Sequence, residues 1–174
     1  MPASPQPRPS APRHSPCAGF SLVELAVVVA IISIFIAIAL PIGQHLVRQA
    51  RSAAVINDLR VFSAAFQAYA NEHGDWPDGD GTPGAFPPGM ETYLRQTNWQ
   101  HPTPIGGSYA WDPNSTQGGG RYRAAIVISS IEGNPVSADA AQLLDLDRKL
   151  DDGNLATGNF VLGFQDEPVF VLEH

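Results

Sequence analysis

A single cysteine, Cys17, stands in 174 residues, so no disulfide can form within one chain whatever the redox compartment. Histidines are scattered: His45, His73 and His101 fall in different segments and pair with no cysteine at metal-ligand spacing. There is no Gly-rich phosphate loop and no nucleophile elbow, so no pattern supports an enzyme. Basic residues are few, 10 against 17 acidic, for a formal net charge of −7. That balance excludes binding of nucleic acid through simple electrostatics. Charge is also unevenly spread, and residues 26–40 carry none at all.

What is present begins with residues 1–16, rich in Pro and Ser with Arg8 and Arg13 and almost nothing apolar, a composition that supports no core. Next comes Gly19-Phe20-Ser21-Leu22-Val23-Glu24-Leu25, then an apolar run whose only polar side chain is Ser33. Counted from Phe20 to Leu40 the run has 21 residues. As a helix it measures about 31 Å, against a hydrocarbon core of about 30 Å, so it can span a bilayer. Pro41 and Gly43 fall where the run ends, and a proline there disturbs a continuing helix. Cys17 does not read as a lipid attachment site, because Arg13-His14-Ser15-Pro16 rather than an apolar run precedes it.

Glu24 demands an explanation, since a charge within an apolar span costs roughly 2.5–3.5 kcal/mol on insertion scales. Either it lies shallow enough to reach the headgroups, or it pairs with a positive group on a neighbouring chain. A free α-amino group created by cleavage before Phe20 would supply that charge. Two plainer readings compete. One is a secretory signal with 25–36 as its hydrophobic region and Ala37-Ile38-Ala39 as its cleavage site, which Glu24 argues against; the other is a simple membrane anchor. Arg8 and Arg13 before the span balance Arg48 and Arg51 after it, so the positive-inside rule does not orient the segment.

The heptapeptide 19–25 with its apolar run resembles the processing site of type IV prepilins and type II secretion pseudopilins. The resemblance implies that a prepilin peptidase cuts after Gly19 on the cytoplasmic side and methylates the new amine of Phe20, and that Glu24 is the acid needed for assembly. It also implies a head outside the inner membrane. Removing residues 1–19 takes Arg8 and Arg13 away and leaves eight basic against seventeen acidic residues, a net charge of −9.

Beyond the span, Val55, Leu59, Phe62, Phe66 and Tyr69 recur at steps of four, three, four and three, with Asn57, Asp58, Arg60 and Gln67 between them. This predicts an amphipathic helix continuing from the membrane segment and ending at Gly74. Residues 74–90 read as a loop and 90–96 as a short helix with Tyr93 and Leu94 inward. Strands are predicted at 108–111 and 122–129, joined by a loop through Asp112-Pro113-Asn114 and Gly118-Gly119-Gly120. Ser137 is the expected N-cap of a helix reaching Leu150, in which Ala140, Leu143, Leu144, Asp147 and Leu150 recur at near-helical spacing. Residues 160–164 and 169–172 flank Gln165-Asp166-Glu167-Pro168 as a terminal hairpin. Of Trp76, Trp99, Trp111 and Tyr109, at least two are expected in the core.

The expected fold is thus α+β, a long N-terminal helix on a small antiparallel sheet. The segments are a leader (1–19), a transmembrane assembly helix (20–43), the amphipathic helix of the head (44–77) and the remaining α+β head (78–174). The order of elements is similar to major pseudopilin heads, which can hold calcium in a C-terminal loop. Here Asp151-Asp152-Gly153-Asn154 offers oxygen ligands on a turn, making Asp151, Asp152 and Asn154 calcium candidates, although their spacing is not that of an EF-hand. Asp145 and Asp147, just upstream, would point to different sides of their helix.

The functional expectation is a non-catalytic subunit of a type IV pilus or a type II secretion pseudopilus. Its implied partners are like subunits, a prepilin peptidase, an inner-membrane platform and an assembly ATPase. The rival is a membrane-tethered exported binding module that does not polymerise; it retains residues 1–19 and tolerates Glu24→Ala.

Overall fold

The computed structural model describes residues 21–174. The first helix, α1, is Leu22–His73. By its contacts the chain divides into two units, one ending at Ile42 and one running from Gly43 to His174. In the first unit α1 carries the apolar run, and its side chains are bare: Leu22 is 84% and Phe35 68% exposed. The lone hydroxyl of Ser33 donates to the Val29 carbonyl at 2.7 Å, which satisfies it within the helix itself.

The second unit is a helix on a sheet. After α1 come α2 (Glu91–Leu94), β1 (Ser108–Gln117), β2 (Gly120–Ser129), α3 (Ala140–Leu150), β3 (Phe160–Leu162) and β4 (Pro168–Glu173). The four strands are antiparallel in the order β1-β2-β4-β3. From α1, Val55, Leu59, Phe62 and Phe66 are fully buried against Tyr109, Trp111, Ile126 and Ile128 of the sheet, with Leu143 and Leu146 of α3 joining the same core. Strand alternation sends Ala110, Ala125, Val127, Val161, Val169 and Val171 to a second buried cluster.

Aromatic rings knit the first core. Phe66 stacks on Trp111 at 4.0 Å, and Phe62 meets Trp99 and Tyr109 edge-on at 5.0 and 4.7 Å. Both buried indoles find acceptors, Trp99 the Ala85 carbonyl at 2.7 Å and Trp111 the Pro77 carbonyl at 2.8 Å, as burial of an N–H requires. These two are the core tryptophans; Trp76 is half-buried.

Gly74, with φ +82°, ends α1 as expected, its N–H bonding the Ala70 carbonyl at 2.8 Å. Three expectations are corrected. Strand β1 does not stop at Trp111 but runs through Asp112-Pro113-Asn114 to Gln117, leaving only Gly118 and Gly119 between it and β2. Pro113 is tolerated because β1 is the edge strand, where a missing N–H breaks no ladder bond. Helix α3 starts at Ala140 with Asp139 as N-cap, whose carboxylate accepts from the Gln142 N–H at 2.8 Å; Ser137 instead donates to the Ile105 carbonyl at 2.9 Å. Asp58, expected among the solvated residues, is 5% exposed.

The loop after α1 is fastened to the C-terminal strand by charge. Arg123 pairs with Asp75 at 2.8 Å and with Glu173 at 2.9 Å, and the Trp76 indole donates to Glu173. The Trp76 N–H and then Arg123 hold Asp75 below the ordinary carboxylate range; the Trp76 indole, followed by Arg123, does the same for Glu173. Depressed carboxylate pKa values contribute stability that is complete above the unfolded-state pKa and is lost as pH falls through the folded value. The melting-temperature gap between wild type and Arg123→Ala is therefore expected to be small, present at pH 7 and to close only as pH falls below the ordinary carboxylate range. Melting curves across that range check it; a gap that widens in acid contradicts it.

Candidate functional site

Two places bear on function. The first is the start of α1. Gly19 and Phe20 lie outside the described residues, while Glu24 sits in the first helical turn, exposed, with Leu22, Val23 and Leu25 exposed around it. The apolar part of α1 is long and apolar enough to cross a membrane, with a mean hydropathy of 3.0 over its best 18 residues. An acid in the first turn is favourably placed toward the helix dipole, but among the described residues this exposed carboxylate has no partner to offset its desolvation in lipid.

The second place is the end of α3. One carboxylate oxygen from each of Asp147, Asp151 and Asp152 can be chosen so that all three lie within 4.8 Å of one another. Asp147 is fully buried, and neither of its oxygens has a hydrogen-bond partner. Burial, with the charges of Asp152 and Asp151 added, pushes its carboxyl above the ordinary range. Asp145 points elsewhere and pairs with Lys149 at 2.6 Å.

The loop between α3 and β3 is wound around these carboxylates. Asp151 accepts from the N–H groups of Asn159 and Phe160, and Asp152 accepts from the Asn154 N–H at 2.8 Å and the Thr157 hydroxyl at 2.7 Å. Gly158, with φ +83°, passes so close to the Asp151 carboxylate that any Cβ would collide with it. Asn154 spends its side-chain carbonyl on the Ala156 N–H at 3.2 Å. Of the three calcium candidates, the structure thus brings Asp151 and Asp152 together with Asp147, and gives Asn154 a local turn contact. The sequence held a clue to Asp147, an acid at the spacing of Leu143 and Leu150 on the apolar side of α3.

Oxygen donors alone, with no His or Cys, suit a hard cation. The residues also fit one physically, because a fully buried carboxylate with two unpartnered oxygens beside two like charges lacks the compensation that such burial requires.

Comparison with known proteins bears on the first of these places. The profile of the prokaryotic N-terminal methylation motif matches residues 14–40. The structure is similar to that of the major type IV pilin PilA1 from Clostridium difficile, with a TM-score of 0.52 at 19% identity, covering 73% of this chain and 97% of that one. The fold is type IV pilin-like. No curated protein sequence matches it significantly. In this pilin-like chain the matched motif contains Gly19, Phe20 and Glu24 and ends with the apolar run, while the helix-on-sheet head supplies the fold.

Proposed function

We propose that this chain is a structural, non-catalytic subunit of a type IV pilus-like or type II secretion pseudopilus filament. The observation that carries this reading is the methylation motif at residues 14–40, whose residues from Leu22 on lie in an apolar helix that continues into a head of pilin-like fold. Before assembly the apolar part of α1 holds the protein in the inner membrane, with the head on the periplasmic side. A prepilin peptidase cuts after Gly19 and methylates the amine of Phe20. Glu24 then pairs with the Phe20 amine of a neighbouring subunit, which offsets the cost of a carboxylate among apolar side chains and sets the axial register. A platform protein and an assembly ATPase drive the subunits out of the membrane, and the acidic heads coat the filament.

Mass spectrometry of the N-terminal peptide after co-expression with a prepilin peptidase tests this directly. The expected product begins at methylated Phe20. An intact leader favours the tethered, non-polymerising module, and a start at Leu40 identifies the apolar run as a secretory signal.

A further inference from the structure

We infer that a polar cavity between α1 and the start of α3 binds the phosphate group of a phospholipid headgroup. His45, Arg48, Gln49 and Ser52 line it at helical spacing from α1, and Gln142 and Asp145 line it from α3, around a space of about 210 Å³. Among the described residues, the buried side-chain polar atoms without a hydrogen-bond partner belong to Asp147 and to two residues of this cavity, as the Ser52 hydroxyl and the Gln142 amide nitrogen. Ser52 is 1% and Gln142 8% exposed. Such burial is costly until a partner arrives. An amide nitrogen can only donate and a hydroxyl can donate, so one acceptor-rich group would satisfy both. A single water needs only about 10–15 Å³, so the space admits a group of several atoms.

The other lining groups favour an anion. Arg48 pairs with Asp139 through Nη1 at 2.8 Å and keeps its remaining N–H groups, whose planar fork matches phosphate. Gln49 donates its amide to His45 Nε2 at 3.0 Å, which leaves the Nδ1 N–H of that ring for another acceptor. Asp145, the one acid of the lining, is offset by Lys149 at 2.6 Å. Position then selects the source of the phosphate. His45 and Arg48 stand three and six residues past Ile42, the last apolar residue before Gly43, or about 5 and 9 Å of helix. A headgroup layer extends about 5–7 Å beyond the hydrocarbon, and helical side chains lean toward the N-terminus, here back toward the apolar run. For a membrane-held chain, lipid phosphate is therefore the phosphate within reach. This goes beyond the filament reading and shares with it only the membrane-held subunit. The bound lipid would tie α1 to α3, a contact given up when the subunit leaves the bilayer.

The test is native mass spectrometry of the full chain, purified in a maltoside detergent that carries no phosphate and titrated with short-chain phosphatidylethanolamine or, separately, with inorganic phosphate. Wild type is expected to take up one phospholipid. Arg48→Gln and Gln142→Leu should each weaken that uptake by roughly tenfold or more, as loss of a hydrogen bond to a charged group does. Arg121→Ala, at an exposed arginine of β2 outside the cavity, should leave it unchanged. Ser52→Ala separates binding from folding: without lipid it should melt no lower than wild type, because an orphan hydroxyl is gone, yet it should bind lipid more weakly. Should Gln142→Leu fail to fold, Ser52→Ala carries the expectation in its place. No phospholipid on wild type, or equal uptake by wild type, Arg48→Gln and Ser52→Ala, overturns the assignment. Inorganic phosphate binding as tightly as the phospholipid overturns the headgroup as its source. Neither peptidase nor filament enters the measurement, so a negative result here leaves the filament reading standing, and an uncleaved leader leaves this one standing.

Discussion

Glu24→Ala is expected to be made, inserted and cleaved like wild type, yet to be nearly absent from filaments. The substitution removes a charge that costs roughly 2.5–3.5 kcal/mol to bury in a bilayer, so insertion can only improve. Cleavage should persist because Gly19 and Phe20 are untouched. What is lost is the pairing of the carboxylate with a neighbour's Phe20 amine. Truncating one partner of a desolvated charge pair costs about 2–5 kcal/mol, or some thirty- to several-thousand-fold in affinity at each subunit contact. The remaining Phe20 amine, stranded among apolar side chains, deepens the loss. Glu24→Gln, which keeps shape and polarity without charge, should behave nearly as badly. Immunoblots of the membrane fraction and of sheared filaments separate the steps. Equal filament yield from Glu24→Ala and wild type would remove the pair from the proposal and return the tethered module to the front.

Much of the architecture was legible in the sequence because two of its determinants are periodic and local. The run at 26–40 has no charge to place anywhere but lipid or protein, and the stripe from Val55 to Tyr69 has the helical period that docks on a sheet. The glycine after His73 stopped the helix where its φ of +82° requires. The misreadings arose where tertiary position decides what a residue tolerates. Pro113 looked like a loop, but whether proline breaks a strand depends on which edge that strand occupies, and β1 turned out to be outermost. Ser137 and Asp139 are both good caps, and only the packing of Ser137 against Ile105 chose between them. The carboxylate cluster was half legible: Asp151 and Asp152 sit together on a visible turn, whereas the burial of Asp147 depends on how α3 lies on the core.

Asp58 shows the same limit and yields the largest expected effect on the head. It stands three residues after Val55 and four before Phe62, the spacing of the buried face, yet its charge reads as solvated. The sheet resolves the conflict by supplying donors. Tyr109 donates its hydroxyl to Asp58 at 3.0 Å from β1, and Asn98 donates its amide at 2.9 Å from the preceding loop. Burial, with the Asp58 charge added, pushes the Tyr109 hydroxyl pKa up, so it stays a donor throughout the working range. Asp58→Ala would strand the buried Tyr109 hydroxyl and release the Asn98 contact, at a cost of about 3 kcal/mol. For a head of this size that lowers the melting temperature by roughly 10 °C. Adding Tyr109→Phe should recover part of the loss, because the orphaned hydroxyl goes with it, and a double-mutant cycle would measure that coupling. A single-mutant shift under about 2 °C would mean that water replaces the carboxylate and that this contact does not fix how α1 seats on the sheet.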